Sequence, residues 1–334
     1  MNMDAVHPGL PERAAGLFVS GEVRVACVGG LQNFVYEYEH GGRSCILRLT
    51  PGANRSERMV LAELDWIRYL ADRGVSVSVP VRSKRGRWTE VLEQPDGQFI
   101  CAVFEKAPGR RVGYPECLRD DHLYERLGRL TGRMHALSRA YKPNPRYGPR
   151  HDWSGNWFLR HVHGVPATQP GVHAACAGLM ETIGALPREE GAFGLIHGDM
   201  GVGNFTVADD GRITLFDFDE VQYSWFVEDI AVQLYYLVYV YGGEGKSLRE
   251  EQAERFMHHF MRGYEEEHTL DPYWIRQIPL FLRLRELIVY IGAFRNWDGV
   301  DETFSSSDNQ WFKDWIAESR ARIESGTPIV DIWG

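Results

Sequence analysis

The chain has 334 residues, 44% hydrophobic and 25% charged, with 37 Lys and Arg against 46 Asp and Glu for a formal charge of -9. That length predicts roughly two domains, or one domain of two lobes, and the apolar fraction excludes a disordered chain. An acidic total without a basic run excludes nucleic acid as the main partner, because backbone binding needs clustered Lys and Arg; a local basic pocket for a nucleotide stays open.

Residues 1–15 carry Asp4, Pro8, Glu12 and Arg13 without an apolar core, so no signal peptide is expected there. Short β-rich runs follow at 23–28, 34–39 and 44–49, separated by Gly29-Gly30 and by His40-Gly41-Gly42, and the last two read as a hairpin. Ser56 then caps a predicted helix running to about Arg73, with Val60, Leu64, Ile67 and Ala71 on one face and Gly74 as its stop. Further strands are predicted at 88–92 and 99–104. Lys106-Ala107-Pro108-Gly109 breaks the pattern and marks the expected boundary between lobes.

Beyond it the periodicity turns helical. Helices are predicted at 121–139, 173–186, 230–241, 248–268, 272–297 and 308–325, with a structured loop rich in Pro, Tyr and Gly at 141–155. The most apolar of them, 230–241, is about twelve residues long and contains Gln233, which predicts a buried core helix and no membrane span. Five scattered cysteines, never spaced C-x-x-C, fit neither a disulfide framework nor a zinc cage and point to a reducing cytoplasm. A strand-rich part followed by a helical part is an α+β arrangement, in which the cleft between lobes is the expected ligand site.

The chemistry concentrates in His197-Gly198-Asp199 through Asn204, of the form H-x-D-x-x-x-x-N, followed by Asp217-Phe218-Asp219. Between them Asp210-Gly211 separates two β-rich runs, a strong hairpin signal that, as a two-residue turn, sets Asn204 opposite Asp217. Opposed residues stand about 4.5–5.5 Å apart at Cβ, and oxygen ligands at that spacing suit Mg²⁺. Asp199, on the loop entering the same strand, would face that pair across a gap the size of a phosphoryl group. Read singly, these residues fit strand-end caps and a turn residue better than a metal site. The H-G-D-x-x-x-x-N string alone, however, arises by chance in roughly one chain of this length in a thousand.

His197 to Asn204 with Asp217-Phe218-Asp219 resembles the aminoglycoside phosphotransferase and choline kinase-like family, over roughly residues 20 to 300. The resemblance implies a two-lobed, protein-kinase-like fold, with residues 1–107 as a β-rich nucleotide-binding lobe and 108–334 as a mostly helical catalytic and acceptor-binding lobe. It implies transfer of the γ-phosphoryl of ATP or GTP to a small-molecule hydroxyl, with Asp199 as base and Asn204 and Asp217 as Mg²⁺ ligands. Asp229-Ile230-Ala231 resembles the family's following D-L-A, whose Asp supports the loop, although a plain helix cap reads equally well. His197 reads as a packed, neutral support of the loop.

In the first lobe, Gly29, Gly30 and Asn33 lie where the family covers the nucleotide phosphates, although the turn is not G-x-G-x-x-G and also reads as an ordinary hairpin. Arg48 stands where kinases carry a strand lysine, and Glu63 matches its partner; a guanidinium still binds phosphate, but through a larger planar fork. The bland alternative for the pair is a solvated surface contact. Phe104 and Glu105 fall at the expected adenine-contacting backbone. Tyr147, Trp153, Trp157, Tyr223, Trp225 and Trp297, with Asp152, Glu220, Glu228 and Asp298, would suit an amino-bearing acceptor, or else are ordinary packing. Two other readings stay open: a Ser/Thr protein kinase of the same family, and a catalytically weak nucleotide-binding pseudokinase or scaffold. The acceptor and the oligomeric state carry no sequence signal.

Overall fold

The computed structural model describes residues 7–30, 32–95, 97–242, 245–294 and 310–333. Leu31, Trp297 and Asp298 lie outside the described residues. The chain clusters into two compact units, one of Met1–Arg110, Tyr141–Arg150 and Phe205–Asp219, the other of Arg111–Ala140, His151–Asn204 and Glu220–Gly334.

The first unit is built on an antiparallel sheet of β1 (Ala26–Gly29), β2 (Phe34–His40), β3 (Arg43–Pro51), β4 (Pro80–Val81), β5 (Glu90–Gln94) and β6 (Gly97–Glu105). The strands run in the order β1-β2-β3-β6-β4, with β5 also on β6. Gly41 and Gly42 close the expected β2–β3 hairpin with φ of 58° and 75°, the two left-handed residues of a type I′ turn. Successive side chains of a strand face opposite sides. Leu47 and Leu49 therefore join Phe34, Tyr36, Leu10, Ala14 and Phe18 in one core cluster, and Arg48, between them, faces away.

Two helices complete this part. A short helix, α1 (Leu10–Ala15), buries Leu10 and Ala14 in that cluster; its six residues are too few for a periodic signal. The second, α2 (Glu57–Ala71), starts as predicted, with the Ser56 hydroxyl accepting from Met59 N–H at 3.3 Å, and Gly74 turns left-handed just beyond it. Val60, Leu64 and Ile67 are buried as expected. The Tyr141–Arg150 segment is tied to this helix by bonds from Tyr141 Oη and Asn144 N–H to Asp65 Oδ2, at 2.8 and 3.3 Å, and from Arg150 to the Met59 carbonyl at 3.1 Å.

The second unit is mostly helical. Helix Asp121–Ala140 crosses Lys246–Tyr264 at glycines: a Cβ on Gly128 would stand 1.9 Å from the Phe260 carbonyl oxygen, and one on Gly263 1.9 Å from that of Glu125. Helix Phe226–Val238 is buried along nearly all its length, including Glu228 and Asp229 in its first turn. It begins four residues before the predicted start, because those buried acids look like a cap in the sequence. The predicted 272–297 run divides into Pro272–Ile275 and Ile278–Ala293, since Pro279 has no N–H to donate and is tolerated only in the first turn of a new helix. The last helix spans Gln310–Ser325. Two short strands without a clear sequence signal, Phe193–Ile196 and Gln222–Trp225, pair antiparallel, Ile196 opposite Gln222. No helix among the described residues is long and apolar enough to cross a membrane, and none of the five cysteines forms a disulfide.

Candidate active site

Strand Phe193–Ile196 leads directly into the His197–Asn204 loop, and the loop is seated by one buried carboxylate. Asp229 accepts from the backbone N–H of His197 at 2.9 Å and of Gly198 at 2.8 Å, and lies 3.2 Å from His135 Nε2. Burial opposes its charge, but the contacts from His135 and His197 outweigh it and hold the carboxyl below the usual carboxylate range. Asp229 caps no helix: Trp225 holds the N-cap position. Of the two sequence readings, loop support is the one observed. His197 is fully buried, and its Nδ1 accepts from the Asp199 N–H at 3.3 Å.

Glycines give this loop its path. Gly198 sits at φ 78°, where a Cβ would come 2.4 Å from the Glu220 carbonyl oxygen, and a Cβ on Gly201 would come 2.2 Å from the Tyr236 ring. The result presents Asp199 with a side chain about one-quarter exposed (27%), open to solvent yet held on both oxygens. Asn204 Nδ2 donates to Asp199 Oδ2 at 3.0 Å and to the Asp199 carbonyl at 2.8 Å. Arg285 donates to Oδ1. Its guanidinium also reaches the Tyr236 hydroxyl and the Gly198 carbonyl, the latter at 3.4 Å.

Sequence reasoning missed both Arg285 and Tyr236. A signal for the first exists: a buried arginine inside the apolar run 278–291 demands a partner.

In the other unit, the strands Phe205–Val207 and Ile213–Leu215 form the expected hairpin, but one residue out of the expected register. Phe205 pairs with Leu215, and extending that ladder by one would set Asn204 against Phe216, so the direct opposition of Asn204 and Asp217 is corrected. The turn has three residues, with Gly211 left-handed at φ 80° and Ala208 N–H donating to the Arg212 carbonyl at 3.0 Å. Asp217 takes φ 62°, alone in the left-handed region among the described non-glycine residues, a cost that clusters at functional positions. Asp219 is buried and meets Arg55 at 3.4 Å, while its carbonyl accepts from Arg150 at 2.6 Å. Burial opposes the charge of Asp219, but Arg55, Arg48 and Arg150 overcome it and hold the carboxyl low.

Arg48 and Glu63 form a bidentate, fully buried pair at 2.7 and 2.8 Å, so the surface-contact reading is excluded. Burial works against the guanidinium, but Glu63, Asp219 and Asp217 keep it charged. Its Nε is buried without a partner among the described residues, and each terminal nitrogen keeps one N–H beyond the pair. A Cβ on Gly30 would lie 1.9 Å from the Asn33 carbonyl oxygen, so the turn through Gly29 (φ 128°) and Gly30 (φ 131°) requires a glycine there. Asn33 is itself buried, and its side chain helps to hold the Asp219 carboxyl low. Phe104 lies under Arg48, 5.2 Å from ring centroid to guanidinium. Glu105 has its N–H taken by the Val79 carbonyl at 2.9 Å and its C=O by the Ser78 hydroxyl, so an adenine could use only the carbonyl's second lone pair.

With its Nδ2 on Asp199, Asn204 keeps Oδ1 as an acceptor, and that oxygen and the Asp217 carboxylate are each of the donor type that a hard divalent cation takes. Among the described residues no group of three His, Cys, Asp or Glu side chains is placed to hold a metal. Of the aromatic acceptor candidates, Trp153 and Trp225 pack against each other in the core at 6.0 Å, and Trp157 stacks on His161 at 3.9 Å. For the first two, ordinary packing is the observed role.

Residues 25–273 match the model of the phosphotransferase enzyme family. Amicoumacin kinase of Bacillus subtilis (strain 168) is 36% identical over 324 residues, covering 95% of this chain and 91% of that protein. The solved structure of the amicoumacin kinase hAmiN with AMP-PNP, Ca²⁺ and Ami superposes with a TM-score of 0.88 at 33% identity, covering 99% of this chain and 98% of the other. A microcompartment-associated aminopropanol kinase shares the fold, with a TM-score of 0.72 at 20% identity over 94% of this chain and 96% of its own. With three quarters of its length on that family model and a kinase aligned nearly end to end, the chain belongs to the phosphotransferase enzyme family.

Proposed function

We propose that this enzyme transfers the γ-phosphoryl of ATP to a hydroxyl of an amino-bearing small molecule of the amicoumacin type. The observation that carries the reading is Asp199: a partly exposed carboxylate with both oxygens fixed, on a loop seated by Asp229, in a chain one-third identical to an amicoumacin kinase. Asp199 orients the acceptor hydroxyl and takes its proton as that oxygen bonds to Pγ and the bond from Pγ to the leaving ADP breaks. Asn204 and Asp217 hold the divalent cation, Mg²⁺ in this reading. When bound, that ion neutralises phosphate charge. Arg48, held by Glu63, meets the phosphates with the N–H groups that the pair leaves over, and the Gly29-Gly30-Asn33 turn covers them. Phe104 and Glu105 border the adenine. Residues 1–107 would then serve the nucleotide and 108–334 the acceptor. GTP is the alternative donor.

The test is turnover by the purified chain with MgATP against amicoumacin, 1-amino-2-propanol, choline and spectinomycin. Saturable phosphorylation of amicoumacin is expected, and Asp199→Asn should lower kcat by roughly 10²–10⁴-fold while ATP binding persists. No transfer to any of the four, although MgATP binds, would overturn the acceptor class. Undiminished turnover in Asp199→Asn would overturn the base.

A further inference from the structure

Arg285 is the one cation bonded to the Asp199 side chain among the described residues, and it reaches Asp199 from helix Ile278–Ala293, far away in sequence. Its side chain is buried, and burial works against its charge, but Tyr236, Asp199 and Glu220 together keep it a cation. Tyr236 is buried enough that its phenol is pushed up to about 12 with Arg285 opposing, so it stays a neutral hydroxyl that accepts from the guanidinium. Its ring lies under the guanidinium at 4.9 Å and also fills the space above Gly201. One side chain thus packs on the loop and holds the arginine that holds the carboxylate.

A carboxylate gripped at one oxygen can still swing about its own bond. Here Arg285 takes Oδ1 while Asn204 takes Oδ2, so the plane of the group is fixed and each oxygen keeps one lone pair for a hydroxyl. We propose that Arg285, braced by Tyr236, is the positioning residue of the transfer: it sets the orientation in which Asp199 receives the acceptor hydroxyl. The proposal rests on Asp199 being the base. Arg285 itself touches neither the nucleotide nor the reacting oxygen in this account. Its loss should therefore lower kcat and leave the KM for MgATP alone.

The experiment compares Arg285→Gln, Arg285→Lys, Tyr236→Phe, Asp199→Asn and the double variant Asp199→Asn/Arg285→Gln in the full chain. MgATP turnover is followed both with water alone and with amicoumacin as acceptor, and melting curves accompany each protein. Arg285→Gln should lower kcat roughly 10²-fold, the scale of a small misplacement at a reacting group, with KM for MgATP within about twofold of the parent. Arg285→Lys should recover about tenfold of that loss, since a charge remains but not the fork. In the Asp199→Asn background, Arg285→Gln should add less than about threefold, because residues acting as one unit are not additive.

Parental kcat in Arg285→Gln, or losses that multiply in the double variant, would overturn the proposal, as would a raised KM at unchanged kcat. If Arg285→Gln does not fold, Arg285→Lys and Tyr236→Phe decide: kcat must drop in both with KM held. Full turnover in Asp199→Asn would instead sink the assignment of the base, an outcome distinct from any failure of Arg285.

Discussion

Two arginine–carboxylate pairs, one in each unit, are built for different purposes. Arg48–Glu63 is symmetrical and sealed: both carboxylate oxygens meet both terminal nitrogens, and Glu63 has no exposure at all. Arg285–Asp199 is lopsided and open, with one carboxylate oxygen on the arginine, the other on Asn204, and the acid partly in solvent. A sealed pair fixes two elements, here β3 and α2, relative to each other. An open one fixes the direction of a group that has still to meet a substrate.

The largest expected effect separates the two on stability. Glu63→Ala leaves a buried guanidinium without its counter-charge and should cost about 3–5 kcal/mol. Asp199→Ala should cost less than half of that, because Arg285 keeps the Tyr236 hydroxyl and the Gly198 carbonyl and the lost acid was already partly hydrated. Denaturant melts of both variants measure the contrast, and equal losses would abolish it. A middle-sized effect probes the brace in the open pair. Gly201→Ala drives a methyl into the Tyr236 ring at 2.2 Å, so kcat should fall by roughly 10²-fold with the overall fold retained. Circular dichroism and turnover together read it, and parental kcat would mean the ring gives way without moving Arg285.

The smallest effect concerns Glu228, one residue from Asp229. Burial pushes its carboxyl up to about 7, Asp229 adds to this, and bonds from Ser224 and Gln222 and the charge of Arg285 oppose it. A carboxyl raised on folding binds more protons folded than unfolded, so its contribution is whole below about 4.5 and lost as pH rises through about 7. Glu228→Gln should thus have a Tm that gains on the parent from pH 5 to pH 8. A constant difference across that range would show that Glu228 does not titrate there.

The sequence spelled out the open pair's carboxylate but not its arginine. Asp199, Asn204 and Asp217 sit in short local motifs, and Arg48 and Glu63 in two adjacent elements with clear periodicity, so all five were legible as candidates. Arg285 lies 86 residues from Asp199 in sequence, and only folding brings them together. The hairpin misreading has a different cause. A loop Asp209-Asp210-Gly211 presents the same Asp-Gly signal whether two or three residues make the turn, and the choice shifts the register by one. Helix ends failed where a buried polar residue imitated a cap, as at Asp229, or where a proline opened a new helix inside an apolar run, as at Pro279.

The crossing of helices Asp121–Ala140 and Lys246–Tyr264 has a consequence for anyone engineering this enzyme. Replacing helical glycines by alanine is a standard route to a hardier protein, since it narrows the unfolded ensemble. At Gly128, Gly132 and Gly263 the new methyl would meet a backbone carbonyl at 1.9–2.5 Å, so the exchange works in reverse and forces the helices apart. Gly178, in helix Pro170–Gly184, has nothing within 4 Å of such a methyl and is where the exchange belongs.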